Sequence, residues 1–196
     1  MDKVDAALLD DILVLQPLRD HPELAIAECK IPAMPIAACF NLNDNDLAVK
    51  FRKFIAELEE SGENAEMIDR WMKVDYENSY VDVEVPVSGK PFRVMVMPTM
   101  PPLNYMKDGD YAGYEPELIR KFAAYVGRPV IFQPVDFGAI MPGIITGKTD
   151  MAVSAISQTA EREKMVQMVP YFESRPVYAF KKHEDASVIT GAALSE

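Results

Sequence analysis

The stretch that decides the fold runs from Gly147 to Arg162 and reads GKTDMAVSAISQTAER. Gly147 is a helix stop, because glycine adopts the left-handed conformation that ends a helix without a steric penalty. Residues 150–154 have the pattern of a short buried strand, and Thr159 stands where the N-cap of a following helix belongs. A strand that leads into a helix N-terminus directs unpaired backbone N–H groups at one point. With Arg162 in the first turn, the stretch predicts a carboxylate site made of backbone dipoles and a two-pronged guanidinium.

The same residues have a simpler interpretation, a capped surface helix whose Arg162 is only solvated, because charged first turns are common. The order of motifs, however, resembles the signature of type II periplasmic solute-binding proteins, bacterial extracellular solute-binding family 3, of the polar amino-acid type. In that family a G-K-x-D strand leads to a T-x-E-R helix start, matched here by GKTD at 147–150 and TAER at 159–162. A strand-turn of the D-P-Y-Y kind follows, matched by MVPYFES at 168–174. The likeness extends upstream to Phe92 and covers about half of the chain.

Composition limits the classes of partner and compartment. Of 196 residues, 49% are hydrophobic and 26% are charged, as in ordinary soluble globular proteins. The net charge of −11 argues against nucleic acid and against anionic membrane surfaces. Cys29 and Cys39 are too few for a disulfide framework, and we expect two free buried thiols. No apolar run approaches transmembrane length, and residues 1–5 are not a signal peptide. If the family is exported, the chain is a mature form or a piece of a longer protein.

Residues 92–182 alternate strands and helices, which predicts an α/β lobe with a mostly parallel sheet covered by helices on both faces. The strands are expected over 92–97, 130–135, 150–154 and 175–181. One helix opens near Gly113, with Pro116 at its first position, and ends at Gly127. A second helix, over 137–146, should direct Ile140, Ile144 and Ile145 inward.

Residues 1–74 begin with a buried strand over 4–11, a short helix over 12–18 and two apolar strands over 25–28 and 35–40. The clearest helix follows at 44–60, because Leu47, Phe51, Phe54, Ile55 and Leu58 recur at helical spacing on one face. Ser61-Gly62 ends it, and a second helix covers 64–73. By resemblance, this part looks like the end of a solute-binding domain: second-lobe strands, followed by the helices that close lobe one.

The predicted domain organisation is therefore the back half of a domain followed by a front half. Residues 1–74 form the C-terminal part of one solute-binding domain, 75–91 a linker, 92–182 the N-terminal lobe of another, and 183–196 a tail that starts lobe two or is disordered. The valines and acids at 81–87 alternate, so the linker either pairs as an edge strand or stays unpaired. The chain is either a junction between tandem domains or a permuted single domain. In both cases the second lobe is incomplete, and a start in mid-sheet suggests that the beginning is missing.

The resemblance also assigns a ligand site. Arg162 is the anchor for the ligand carboxylate, Thr159 and Ser157 add hydroxyl and backbone donors, and the Ala155 carbonyl faces the ligand amine. At the position of the family's ammonium-binding acid the sequence has Met97, and a methionine cannot neutralise a buried ammonium. At the position of the stacking aromatic it has Met100, which suits an apolar pocket.

Two further sets of residues near the site are open to interpretation. Asp10 matches the second-lobe acid of the family, or is a strand-end acid in water. Tyr105, Tyr111 and Tyr114 lie near the mouth and are expected to be solvated loop residues. No metal or cofactor is expected, since the sequence has neither zinc-ligand spacing nor a Gly-rich phosphate loop.

The resemblance implies a periplasmic or extracytoplasmic module that binds a small carboxylate or an amino-acid-like ligand, either for an ABC transporter permease or for sensing. One alternative is the ligand-sensing part of a membrane receptor kinase or cyclase with tandem binding domains. Another is a dehydratase-like enzyme on the same fold, although no catalytic residue is apparent: His21 and His183 fall in predicted turns, away from any nucleophile pattern. The unpaired strand edges in residues 1–35 predict a homodimer formed by segment exchange.

Overall fold

The computed structural model describes residues 6–182, so the predicted tail at 183–196, with His183, and the first residues of the predicted strand at 4–11 lie outside the described part. The helices are α1 (Leu15–Asp20), α2 (Asn45–Ser61), α3 (Glu63–Trp71), α4 (Tyr114–Val126), α5 (Phe137–Ile145) and α6 (Ala160–Glu163). The strands are β1 (Ala6–Asp10), β2 (Leu24–Glu28), β3 (Met34–Asn41), β4 (Phe92–Val96), β5 (Thr99–Met100), β6 (Asn104–Lys107), β7 (Asp110–Ala112), β8 (Val130–Pro134), β9 (Met151–Ala152), β10 (Val166–Ser174) and β11 (Pro176–Lys181). None of the helices in this range has the length and apolar character needed to cross a bilayer.

The main sheet has five strands in the order β10-β3-β9-β4-β8. β4 is parallel to both β8 and β9, whereas β3 is antiparallel to its neighbours β9 and β10. Four strands therefore run in one direction and β3 runs against them, which confirms the predicted mostly parallel α/β sheet. β4 is buried on both faces, as expected of a parallel strand between helix layers.

One hydrophobic core joins the two parts of the chain. Phe51 in α2 packs edge-on against Phe122 in α4 with ring centroids 5.0 Å apart, and against Phe40 in β3 at 5.6 Å. The apolar stripe predicted for the 44–60 helix is buried along its whole length. The prediction that this helix packs on the lobe formed by residues 92–181 is confirmed.

The opposite face of the main sheet is covered by α5. Ile140 and Ile144 are buried against Met95 of β4 and Ala152 of β9, so helices lie on both faces as predicted. The prediction that Ile145 also faces inward is wrong, because its side chain is 47% exposed. Ile145 is the last residue of α5, where the helix has passed the edge of its apolar contact.

The N-terminus of α4 is held by the preceding loop. The N–H groups of Tyr114 and Glu115 donate to the carbonyls of Pro102 and Leu103 at 3.1 and 3.0 Å. Pro116 is the third helical residue, so its predicted place at the first position is wrong. It remains within the first turn, where a missing N–H group breaks no helical hydrogen bond. Gly127 ends the helix with φ 67, as predicted.

A second, three-stranded sheet has the order β1-β11-β2, and β11 continues directly from β10 after Arg175. One face packs on α1 through Val14, Val177 and Ala179. On the other face of this sheet, Leu8 is 50% exposed and Tyr178 is 36% exposed. The prediction that the first strand is buried is therefore wrong, because β1 is an edge strand with one uncovered face. The predicted helix at 12–18 begins later, at Leu15, because the turn that follows β1 occupies residues 11–14.

The linker packs on the lobe without joining a sheet. Tyr76–Asn78 form a single 3-10 turn, and residues 79–91 contain no strand, so of the two alternatives for the linker the edge strand is wrong. Tyr76 is buried, and the Arg19 guanidinium of α1 lies 5.0 Å from the centre of its ring. Burying the aromatic ring of Tyr76 holds the linker against the lobe without any main-chain ladder.

Candidate ligand-binding site

The predicted site lies at the carboxyl ends of two adjacent parallel strands, where ligands of open α/β sheets bind. Met97 follows β4 and Ser154 follows β9. The Met97 N–H group donates to Ser154 Oγ at 2.8 Å, and Ser154 is completely buried. This hydrogen bond joins the two strand ends and fixes the position of the Met97 backbone relative to Ser154.

The segment after β9 is held along β3. The Ala37 N–H group donates to the Ile156 carbonyl at 2.9 Å, and the Gln158 N–H group donates to the Pro35 carbonyl at 2.8 Å. Between these bonds, Ser157 forms an antiparallel bridge with Ile36. A strand from the first part of the chain thus builds one wall of a site whose motif lies more than a hundred residues later.

Arg162, Thr159 and Ser157 lie together at the start of α6. Thr159 is the N-cap of α6, and its Oγ1 accepts from the Arg162 N–H group at 3.3 Å. The Arg162 side chain folds back, and its Nη1 donates to the Ser157 carbonyl at 2.7 Å. Within residues 6–182, Arg162 forms no ion pair with a carboxylate. The remaining guanidinium N–H groups are therefore available to a ligand carboxylate.

The helix that follows is shorter than the motif suggested. α6 has four residues, so the backbone dipoles expected at its N-terminus amount to a single turn. Most of the electrostatic attraction for an anion at this site would therefore come from the Arg162 guanidinium. This group also packs over the ring of Phe137 at 5.9 Å, a contact that favours a cation.

Ala155 has an unusual backbone conformation, with φ 49 in the left-handed region. Its N–H group donates to Glu115 Oε1 at 2.9 Å. The sequence motif predicted a role for the Ala155 carbonyl but did not indicate how the residue is held. Left-handed alanine costs roughly 1–2 kcal/mol relative to the right-handed form, so its neighbours must impose it.

Glu115 was missed by the sequence analysis. It is completely buried in the first turn of α4 and accepts hydrogen bonds from Ala155 N–H, the Tyr171 hydroxyl and Asn104 Nδ2. Burial raises the pKa of Glu115 to about 7, although the hydrogen bonds from Tyr171 and Ala155 act in the opposite direction. An acid in the first turn of a helix usually faces water and the helix dipole, so its sequence position carries no signal of burial.

Met97 and Met100 are both partly exposed beside this segment. Met100 belongs to the small β5-β6-β7 sheet, where it pairs with Asn104. Next to them, an open cavity of about 530 Å³ is lined by Gln16 and Arg19 of α1 and by residues of the β5–β6 hairpin. Its lining does not include Arg162, so the cavity lies beside the predicted anchor.

The structure corrects the prediction that the three tyrosines near the mouth are solvated. Tyr114 is completely buried, and its hydroxyl donates to Asn64 Oδ1 at 2.8 Å. Tyr105 is half-buried against Trp71 and Tyr76, and Tyr111 packs on Phe132 with centroids 4.8 Å apart. The Tyr114 ring packs on Tyr171 and Phe172 of β10, so each of the three rings has aromatic contacts in the folded lobe.

Asp10 lies at the end of β1 in the three-stranded sheet, opposite Pro176. Its carbonyl accepts from the N–H groups of Leu13 and Val14. Burial and the neighbouring Asp11 raise the pKa of its carboxyl group above the ordinary value. No hydrogen bond or ion pair among the described residues joins Asp10 to the Arg162 segment, so the structure does not bring it together with the other predicted site residues.

The described residues contain no group of three or more His, Cys, Asp or Glu side chains arranged to hold a metal ion. Both cysteines are free thiols, and Cys39 is buried, but Cys29 is only half-buried, so the expectation that both thiols are buried is wrong for Cys29. Burial raises the pKa of the Cys39 thiol to about 12, although the Arg162 charge lowers it.

Comparison with known proteins gives matches to part of the chain. The sequence model described as bacterial extracellular solute-binding proteins, family 3, matches residues 92–190. A probable histidine-binding protein of Campylobacter jejuni is 30% identical over 95 residues, which cover 48% of this chain and 37% of that protein. The amino-acid-binding protein AabA of Dichelobacter nodosus is 34% identical over 92 residues, covering 45% and 36%. The chain therefore spans about a third of the length of these curated relatives.

Solved structures give similarly partial matches. An ancestral arginine-binding protein bound to arginine is 32% identical, with a TM-score of 0.38, over 39% of this chain and 34% of that chain.

Proposed function

Because the chain belongs to the bacterial extracellular solute-binding proteins of family 3, we propose that it is an extracytoplasmic module that binds a small carboxylate or an amino-acid-like ligand. The observation that carries this proposal is Arg162. It is half-buried at the carboxyl ends of β4 and β9, fixed by the Ser157 carbonyl, and has no carboxylate partner within residues 6–182. The two curated relatives of the chain described above are named as a probable histidine-binding protein and an amino-acid-binding protein.

The binding chemistry follows from the geometry of Arg162. A ligand carboxylate accepts hydrogen bonds from the guanidinium N–H groups of Arg162 that do not donate to the Ser157 carbonyl. Since Nη1 is already held at 2.7 Å by the Ser157 carbonyl, less side-chain freedom is lost when a ligand binds. A charge-assisted hydrogen bond of this kind contributes roughly 1.5–3 kcal/mol, a tenfold to hundredfold change in affinity.

The predicted site residues offer fewer hydrogen-bond partners and less opposite charge for the ammonium group of an amino acid than for its carboxylate. Met97 occupies the position at the end of β4 where the family resemblance expects an acid, and the Ala155 carbonyl is the remaining acceptor. We therefore expect weak binding of ordinary polar amino acids and a preference for an apolar acid, whose side chain would contact Met97 and Met100. Asp10 takes part only if the two sheets close around the ligand.

For the domain organisation we favour a permuted arrangement over a tandem junction. The packing of Phe51 on Phe122 supports it, because helices of residues 1–74 complete the core of residues 92–182 within one chain. Delivery to an ABC transporter permease and a role in a membrane sensor kinase or cyclase are both consistent with such a module.

We infer that the protein binds its ligand without catalysis. His21 is exposed in the turn after α1, with Nδ1 3.4 Å from Glu23 Oε1. Catalysis of the dehydratase kind would need an acid or base facing the cleft. The named relatives are both binding proteins, which supports the same conclusion.

Isothermal titration calorimetry with L-histidine, L-arginine and 4-methylpentanoate tests the assignment. We expect the apolar acid to bind most tightly and Arg162→Ala to abolish its heat of binding. Arg52→Ala, which removes an exposed arginine of α2, is the matched control and should leave the affinity unchanged. Equal affinity of the wild type and Arg162→Ala for 4-methylpentanoate would refute the site.

A further inference from the structure

Glu115 connects three elements beneath the ligand segment. It lies in α4, and its carboxyl group accepts from Tyr171 in β10, from Asn104 in β6 and from the Ala155 N–H group after β9. The side chains of Glu115, Tyr171 and Asn104 are essentially inaccessible to solvent. Burying a carboxyl group here is costly unless hydrogen bonds or protonation offset the cost, because desolvation disfavours its charged form.

The contact with Ala155 is the one that reaches the site. Ala155 is in the left-handed conformation, and it is the residue at which the chain turns from β9 onto β3. On one side of this turn, Ser154 Oγ holds Met97; on the other, Ile156 and Ser157 are fixed to β3 and Ser157 holds Arg162. The bond to Glu115 at 2.9 Å is the side-chain contact that holds the turn itself.

We propose that Glu115 is a positioning residue of the ligand site, which fixes the Ala155 turn and links anion binding at Arg162 to its own protonation. This inference rests on the proposed function, since it takes Arg162 as the carboxylate anchor. Glu115 itself does not touch the ligand.

The cluster can accommodate both protonation states. As a carboxylate, Glu115 accepts from all three donors. As a neutral acid it needs an acceptor for its own O–H group, and Asn104 Oδ1 is a buried atom that has no hydrogen-bond partner within residues 6–182. If the Asn104 amide turns over, Oδ1 faces Glu115 Oε2 and accepts that proton, while Oε1 keeps its bonds to Ala155 and Tyr171.

The other titratable groups around Glu115 stay neutral near physiological pH. Tyr171 faces it from β10, Tyr114 adjoins it in α4, and Cys39 of β3 lies beyond Tyr171. Burial raises the pKa of each of them above its ordinary value, for Cys39 to about 12. Burial raises the pKa of Glu115 only to about 7, so it alone in this cluster changes charge near neutrality.

The direction of the linkage follows from charge. The positive charge of Arg162 lowers the pKa of Cys39, the thiol that lies beyond Tyr171 from Glu115. A bound anion cancels the Arg162 charge and disfavours a nearby carboxylate, so anion binding takes up a proton at Glu115. Affinity for a simple carboxylate should therefore fall about threefold as the pH rises from about 6 to 8.5.

The first test uses the amide of Ala155 in the full chain. In a ¹H–¹⁵N spectrum of the unliganded protein, we expect this resonance to titrate with a midpoint near 7. The titration should vanish in Glu115→Gln, whose carbonyl oxygen still accepts from Ala155. Glu161→Gln, which removes an exposed acid of α6, should leave it unchanged. Tyr171→Phe, which removes a bond that lowers the Glu115 pKa, should move the midpoint upward.

The second test is calorimetry with 4-methylpentanoate at the two pH values. Wild type should show the threefold loss of affinity, and Glu115→Gln should show none. An Ala155 amide that does not titrate in the wild type overturns the proposal, whether or not any ligand binds. If Ala155 titrates as expected but 4-methylpentanoate binds to neither protein, the proposed function fails, and the assignment of Glu115 as the group that holds Ala155 is supported on its own.

Discussion

Arg70 of α3 and Glu117 of α4 form a two-pronged ion pair, with Nη2–Oε1 at 2.7 Å and Nη1–Oε2 at 2.9 Å. The Trp71 indole Nε1 donates to the same Oε2 at 2.8 Å. Glu117 is almost completely buried, so these bonds replace its hydration shell. The cluster fastens the closing helices of residues 1–74 to the first helix of residues 92–182.

Replacing Glu117 with alanine should lower the free energy of unfolding by about 3 kcal/mol, because it removes the carboxylate that neutralises Arg70 and the acceptor of the Trp71 N–H group; Arg70 keeps only its hydrogen bond to the Ser79 carbonyl. This expected loss is at the low end of the range for breaking a buried ion pair, because the Arg70 side chain is 29% exposed and water can reach it. Urea unfolding followed by tryptophan fluorescence measures it. Asp46→Ala breaks the exposed pair with Lys50 and should cost less than about 0.5 kcal/mol. Equal losses in the two variants would contradict the role of the buried cluster.

Gly113→Ala should be among the most destabilising single substitutions. Gly113 has φ 121, and an added Cβ would lie 2.2 Å from the Leu103 carbonyl oxygen, so the loop that holds the start of α4 must move. We expect a loss of about 3 kcal/mol, measured by thermal or urea unfolding. Gly147→Ala is the control: φ is 70 but no atom lies within 4 Å of the added Cβ, so only backbone strain of about 1 kcal/mol remains. A smaller loss for Gly113→Ala than for Gly147→Ala would show that the loop yields easily.

Stability should decrease from pH 4.5 to pH 7 through Glu115. Its pKa is raised from 4.5 to about 7 by burial, so in this window the folded state binds a proton that the unfolded state has lost. The free energy of unfolding contributed by this group therefore falls as the pH rises, by up to about 3 kcal/mol. Glu115→Gln should flatten this part of the pH profile in urea unfolding. A wild-type profile that rises steadily over the same window, and is unchanged in the variant, would contradict the raised pKa.

Asp150 should show the opposite dependence at lower pH. Burial raises the pKa of its carboxyl group, but the hydrogen bonds from the Arg93 side chain and backbone N–H and the charges of Arg93 and Arg128 outweigh it and hold the pKa below 3.8. The resulting stabilisation is complete above the unfolded pKa and is lost as the pH falls through the folded one. Asp150→Asn should therefore be less stable than wild type at pH 6, and the difference should shrink below pH 3.8. A constant difference across the acid range would argue against this assignment.

The three-stranded sheet should promote dimerisation. β1 and β2 are its edges within the described residues, and Leu8, opposite Tyr178, is exposed on its uncovered face. Unpaired edges and an apolar face favour pairing with a second copy. We expect a dimer by light scattering coupled to size-exclusion chromatography, weakened by Leu8→Lys. Val49→Lys, which changes an exposed residue of α2, is the control. A monomer at high protein concentration would refute this prediction.

The sequence by itself determined most of the helices and main-sheet strands and the place of Arg162 at the start of α6. The α2 stripe is readable because apolar residues at helical spacing must face one core, and Gly62 ends α2 because glycine accepts φ 82. Thr159 could be placed as the N-cap of α6 and Arg162 in its first turn, because caps depend on a few neighbouring residues. These are local properties, fixed over one or two turns of chain.

Only the tertiary structure decided which distant elements meet. β3 lies between β10 and β9 and holds Ile156 and Gln158, a pairing that spans more than a hundred residues and depends on the burial of whole faces. Tyr114 and Glu115 are polar residues whose sequence position resembles a solvated helix start. They are buried because α4 closes onto β10 and the ligand segment. The pKa of Glu115 likewise depends on desolvation and on partners from three separate elements, which are properties of the packed lobe that no local pattern encodes.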